Sequence, residues 1–136
     1  MIGSTIGQRR PIPLTALGKA LLAYSAPSLL DRVAAAGWER RTENSLRSVP
    51  ALERQLAEIR RFGFAIDNEE CDVGLRCAAT PIFSHAGLPI AAISATTLTS
   101  RVDHDALTLL AAELAKAAQE VSAALGWSQG ETAPTT

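Results

Sequence analysis

Strong net charge is missing from this sequence. Thirteen basic and fourteen acidic residues leave a formal net charge of -1. That balance lacks the basic footprint of a nucleic-acid-binding domain, so any DNA contact by a longer protein is expected through another segment. Cysteine is confined to Cys71 and Cys77, six positions apart. The spacing suits neither a metal site nor a disulfide framework, so two reduced thiols are expected, with no metal and no cofactor. Long apolar runs are also missing: none reaches the roughly 20 residues needed to span a bilayer. The opening MIGSTIGQRR has no signal-peptide apolar stretch, which makes a cytoplasmic location the default expectation. No segment repeats. The small, polar stretch SQGETAPTT after Trp127 sets the expectation of one domain over residues 1–126 and a disordered tail over 127–136.

What is present reads as an ordinary globular chain, with 47% hydrophobic and 20% charged residues. Its 136 residues can bury roughly two-thirds of their unfolded surface. Residues 1–13 read as a strand or extended arm ending in RRPIP, because each Pro extends its predecessor. Thr15 then caps a helix over 16–24, with Leu17, Ala20, Leu21 and Tyr24 as its apolar positions. Gly18 in the first turn costs about 1 kcal/mol and so suggests a close contact or the approach of a ligand. Ser25 and Pro27 open a second helix, 27–36, ended by Gly37, and 38–47 is a polar loop. Ser48 and Pro50 open a third helix to about residue 62, striped by Leu52, Leu56 and Ile59. FAID follows as a short strand.

Two β-type runs, GLRCAATPIFS and LPIAAISATTL, flank HAGL, with Ala86-Gly87 as a two-residue turn. Residues 103–125 close the chain as an amphipathic helix capped by Asp103. Its stripe is Leu107, Leu110, Leu114, Ala118, Val121 and Leu125. Helices, a hairpin and a closing helix make an α+β domain with an antiparallel sheet, although few strands are visible.

The hairpin turn sets a register. Phe83 faces Ile90, Pro81 faces Ala92, Ala79 faces Ser94 and Cys77 faces Thr96. Cys77, Ser94 and Thr96 then gather on one face at the end away from the turn. A few polar groups on an apolar, small-residue surface resemble a small-molecule pocket. The competing reading is a sheet that tolerates Ser and Thr bonded to its own backbone. A catalytic Cys77 needs a base, and His85 lies about eight strand residues, or roughly 26 Å, away. His104 begins the last helix, and no local signature joins it to Cys77. Asp67, Glu69 and Glu70 read as a solvated acidic loop rather than a metal or acid–base site. Only Asp67, directly after a strand, is expected to point inward.

RRPIPLTALGKALLA, LERQLAEIRRFGFAIDNEECDVGLRCAATPIF, GLPIAAISATT and SRV, in that order, resemble the C-terminal effector-binding domain of IclR-family bacterial transcriptional regulators. The resemblance runs from about residue 7 to residue 126. It implies a GAF-like (profilin-like) domain, an antiparallel sheet flanked by helices. It further implies that the first strands and an N-terminal winged helix-turn-helix that reads DNA are not within this stretch. Homodimers or homotetramers assembled through effector domains are implied as well. Carried over residue by residue, the effector-binding set is the backbone N–H groups of Ala16, Leu17 and Gly18 with Asp67, Cys77, Ser94 and Thr96. The expected effector is a small organic acid, 2-oxo, hydroxy or aromatic. The family often has Ser where Thr96 stands and His where Pro13 stands, which makes the pocket slightly smaller. An anion beside Asp67 is repelled unless that carboxyl accepts a hydrogen bond from an effector hydroxyl or a water. The alternatives are an oligomerising module without a ligand, its sheet face filled by Leu75, Phe83 and Leu98, or an enzyme using Cys77.

Overall fold

A computed structural model describes residues 6–129. Residues 130–136, most of the expected tail, lie outside the described residues, as do residues 1–5 of the expected arm. A single 3-10 turn, Ile12–Leu14, precedes four helices and three strands. The helices are α1 (Ala16–Leu22), α2 (Pro27–Ala35), α3 (Val49–Phe62) and α4 (His104–Ala124). The strands are β1 (Ala65–Asn68), β2 (Leu75–Phe83) and β3 (Pro89–Leu98), antiparallel in the order β1-β2-β3. Side-chain oxygens cap three of the helices where the sequence predicts. Thr15 Oγ1 accepts from Gly18 N–H, Ser48 Oγ from Ala51 N–H, and Asp103 Oδ1 from Ala106 N–H.

The sheet separates two apolar layers. Ala79 packs with Ala16, Ala20 and Leu52 of α1 and α3, and Cys77 lies against the same cluster. Ala78, pointing the other way, packs with Leu107 and Ala111 of α4. The middle strand is thus covered on both faces, and its residues from Ala78 to Phe83 are all buried.

The hairpin corrects the expected turn and keeps the expected register. Ser84 N–H donates to Leu88 O and Gly87 N–H donates to Ser84 O, each at 2.9 Å. The loop is therefore His85–Gly87, three residues rather than two, with Gly87 supplying the left-handed φ of +76°. Phe83 faces Pro89, not Ile90. Ile90 is bulged out and 57% exposed, and the extra residue restores the count. Beyond the bulge the pairs Pro81–Ala92, Ala79–Ser94 and Cys77–Thr96 stand as predicted.

The stripes of α1 and α4 differ from their sequence reading. On α4 the buried residues are Leu107, Ala111, Ala118 and Ser122, while Leu110, Val121 and Leu125 are exposed. On α1 they are Ala16, Lys19, Ala20 and Leu22, with Leu17 exposed. Both helices approach a sheet whose facing residues are alanines, and close approach favours small side chains over leucine. Ser122 also binds the sheet directly, its Oγ accepting the Phe83 N–H at 2.9 Å. Phe83 itself is held between Tyr24, edge-on at 5.0 Å, and Trp127, stacked at 5.1 Å.

Candidate functional site

A half-open cavity of about 400 Å³ lies between the start of α1, the end of β1 and the far end of the hairpin. All seven residues singled out from the sequence line it: Ala16, Leu17, Gly18, Asp67, Cys77, Ser94 and Thr96. The ladder explains the grouping. Asp67 on β1 pairs with Cys77 on β2, which pairs with Thr96 on β3, so three strands deliver three polar groups in one row. Ser94 follows two residues along on the same face. A larger groove of about 620 Å³ lies between Pro11–Pro13 and Trp38, and none of the seven residues touches it. Its polar side chains are few, so the smaller cavity has the convergent chemistry.

Gly18 turns out differently from its expected role. Its N–H donates to Thr15 Oγ1 at 3.0 Å, so it is not offered to a ligand. Its missing side chain serves contact within the fold: a Cβ there would stand 2.7 Å from Ile12 Cα, and closer still to Ile12 O. The N–H groups of Ala16 and Leu17 precede the first intrahelical bond, made by Lys19 N–H to Thr15 O.

The Cys77 thiol reaches Thr96 Oγ1 at 3.5 Å, and burial pushes its pKa above the ordinary thiol value. That is the opposite of an activated nucleophile. No histidine is among the described residues lining the cavity.

Asp67 is 4% exposed, and its Oδ1 accepts from Glu70 N–H at 2.7 Å. Burial raises its pKa from 3.8 to about 6, with the Glu70 carboxylate adding to the rise. The N–H groups of Glu70 and Cys71 and the charge of Lys19 oppose it. The sign follows from linkage. A carboxyl that holds its proton more tightly when folded stabilises the fold below its unfolded pKa, and that stability is lost as pH rises through about 6. Relative to Asp67→Asn, the natural chain should lose on the order of 2 to 3 kcal/mol of unfolding free energy between pH 3.5 and pH 7. Urea titrations at a series of pH values measure this, and parallel profiles for the two proteins would exclude a raised Asp67 pKa.

The acidic stretch around Asp67 is not the solvated loop expected. Glu70 is also buried, and it accepts Lys19 Nζ on both oxygens at 2.9 Å. Lys19, fully buried, donates further to Gln55 Oε1 at 2.6 Å and Ile66 O at 2.7 Å. Ser45 Oγ donates to Glu70 O at 2.7 Å, tying the 38–47 loop to the same place. Glu69 turns away at φ 55° and accepts Gly74 N–H on Oε1. A buried ion pair thus ties α1, α3 and the β1–β2 connection together.

Sequence reasoning missed another charged group, Arg10. It lines the cavity and donates through Nη1 to Cys71 Sγ at 3.1 Å and to Asp72 Oδ2 at 3.4 Å. These two partners are more than 60 positions away, so no local pattern could signal them. Among the described residues, no cluster of His, Cys, Asp and Glu could hold a metal ion. No described helix is long and apolar enough to cross a membrane.

The family model of the bacterial transcriptional regulator IclR C-terminal domain matches residues 1–123. XynR of Escherichia coli strain K12, an HTH-type transcriptional regulator, is 40% identical over 126 residues, covering 91% of this chain and 50% of XynR. The crystal structure of the C-terminal domain of the E. coli regulator KdgR superposes with a TM-score of 0.81 at 36% identity, covering 90% of this chain and 75% of that one. The PobR inducer-binding domain from Acinetobacter, solved as a double mutant with 3-hydroxybenzoic acid, superposes with a TM-score of 0.77 at 26% identity. It covers 87% of this chain and 69% of that one.

Fold and sequence together define a C-terminal regulatory domain of a transcriptional regulator. The chain belongs to the IclR family of bacterial transcriptional regulators. It spans about half the length of the curated relatives it matches. Those relatives are regulators, not enzymes.

Proposed function

We propose that this chain is the effector-sensing domain of its regulator, and that the cavity beside α1 takes a small organic acid. The observation that carries the reading is the convergence of Asp67, Cys77, Ser94 and Thr96 with the first turn of α1 on one cavity of about 400 Å³. That volume lies within the range of small-molecule sites. The PobR domain's complex with 3-hydroxybenzoic acid supports the ligand class. A carboxyl group at Asp67 that protonates near pH 6 eases the conflict with an anion, because its neutral form can donate a hydrogen bond. Occupancy then shifts DNA binding and the assembly of effector domains by the acid's differential affinity for two arrangements of the full regulator. DNA contact itself belongs to a segment outside this chain.

Calorimetric titration of the chain with 2-oxo, 2-hydroxy and hydroxybenzoic acids tests the ligand class. Ser94→Ala and Thr96→Val should each weaken a bound acid about 5- to 10-fold, the worth of one hydrogen bond, with unfolding midpoints unchanged. A chain that takes none of these acids at millimolar concentration is not an acid sensor. The reading as a ligand-free oligomerising module is disfavoured by the cavity itself. Phe83, one of the side chains that was to fill the sheet face, is held by Tyr24 and Trp127 at the turn end of the hairpin.

A further inference from the structure

We propose that Arg10 anchors the carboxylate of the acid, by exchanging Asp72 for it. The inference rests on the reading of this cavity as the effector site and deepens it by naming the residue that takes the acid's carboxylate.

Three charged side chains line the cavity among the described residues: Arg10, Asp72 and Asp67. Arg10 is the cation of the three. Its side chain is 17% exposed, so a contact there is shielded from water more than at an open surface. Two of its contacts through Nη1 are weak. The Cys71 thiol at 3.1 Å is a poor acceptor, and Asp72 Oδ2 at 3.4 Å lies beyond the roughly 2.7–2.9 Å of a good charge-assisted bond. Asp72 has a second guanidinium within reach, Arg41 Nη2 at 3.6 Å from its other oxygen. When Arg10 turns to a ligand, Asp72 keeps a cation and no charge is stranded. A guanidinium also presents paired donors in a planar fork that matches a carboxylate, which a lysine cannot do.

Asp67 bears on the rest of the ligand. It is buried beside Cys77 and Thr96 in the row built by the three strands, where a hydroxyl or oxo group finds donors and acceptors. The cavity thus offers the acid's carboxylate a cation in Arg10, and its oxygen substituent the row of Asp67, Cys77 and Thr96.

Calorimetry on the 136-residue chain tests this with three acids, lactate, 2-oxobutyrate and 3-hydroxybenzoate, each paired with its neutral amide. The natural chain should bind at least one acid about ten-fold or more above its amide. Arg10→Gln should erase that preference, weakening the acid roughly 10- to 100-fold and leaving the amide within about two-fold. Arg10→Lys should keep part of the preference. Asp72→Asn, which removes the internal competitor, should tighten the acid several-fold and leave the amide unchanged. This variant reports even if Arg10→Gln does not fold. An acid that binds the Arg10→Gln or Asp72→Asn protein as it binds the natural one overturns the role of Arg10 and leaves the effector reading intact. Failure of all three acids to bind the natural chain overturns both.

Discussion

Replacing Lys19 with Met should cost the chain about 3 to 5 kcal/mol of unfolding free energy, the largest single-residue effect in this domain. Lys19 is completely buried, and its ammonium is shared by Glu70, Gln55 and the Ile66 carbonyl. Removing it leaves the Glu70 carboxylate in a buried site without its cation. The remaining donors to Glu70, Asn68 N–H at 3.0 Å and Gln55 Nε2 at 3.3 Å, cannot replace a full charge. The second variant decides the cause. Lys19→Met with Glu70→Gln strands no charge and should recover more than half of the loss. Urea unfolding midpoints for the two proteins separate the cases. A single variant within about 1 kcal/mol of the natural chain would mean that water reaches the pair.

Gly18→Ala should destabilise by about 2 kcal/mol or more, against the usual sign for this exchange. In an ordinary helix interior, Ala in place of Gly gains about 1 kcal/mol. Here the added methyl meets Ile12 Cα at 2.7 Å, Thr15 Oγ1 at 2.9 Å and Ile12 O closer than either. Two of these atoms are backbone, so relief requires moving the 3-10 turn rather than a side-chain tip. Overpacking of that kind typically costs about 1 to 3 kcal/mol, occasionally more, and here it outweighs the helix gain. Ile12 and Thr15 also line the cavity, so the same shift should weaken any bound acid. A Gly18→Ala protein as stable as the natural one would show that the arm before α1 yields freely.

Much of this was legible in the sequence because local chemistry fixed it. Thr15, Ser48 and Asp103 cap where their side chains suit a helix start, and the sheet pairing followed from alternation along the hairpin. The α3 stripe of Leu52, Leu56 and Ile59 stands as read, whereas the stripes of α1 and α4 are partly mis-phased because hydrophobicity ranks Leu above Ala and Ser. At an alanine-lined sheet, size decides instead, which turned Leu110, Val121 and Leu125 outward. Lys19 left a readable sign. It shares a helical face with Ala16, Ala20 and Ala23, all buried, and a cation on such a face demands a buried acid. Arg10 left none, because its contacts with Cys71 and Asp72 exist only once the chain has closed on itself.

The bulge at Ile90 acts on the cavity as a reading frame acts on a message. Count back from the three-residue loop without the extra residue, and Cys77 would face Ala95 while Ala79 faced Ile93. The cavity wall would then carry a methyl and an isoleucine in place of Thr96 and Ser94. One exposed residue at the hairpin tip, roughly 20 Å along the strand from Cys77, therefore decides whether that wall is polar or greasy. An insertion beside Ile90 that the bulge does not absorb is a frameshift in this sense, whereas deletion of Ile90 removes the bulge and keeps the pairs. Such an insertion rewrites what the domain recognises without altering a residue that touches the ligand.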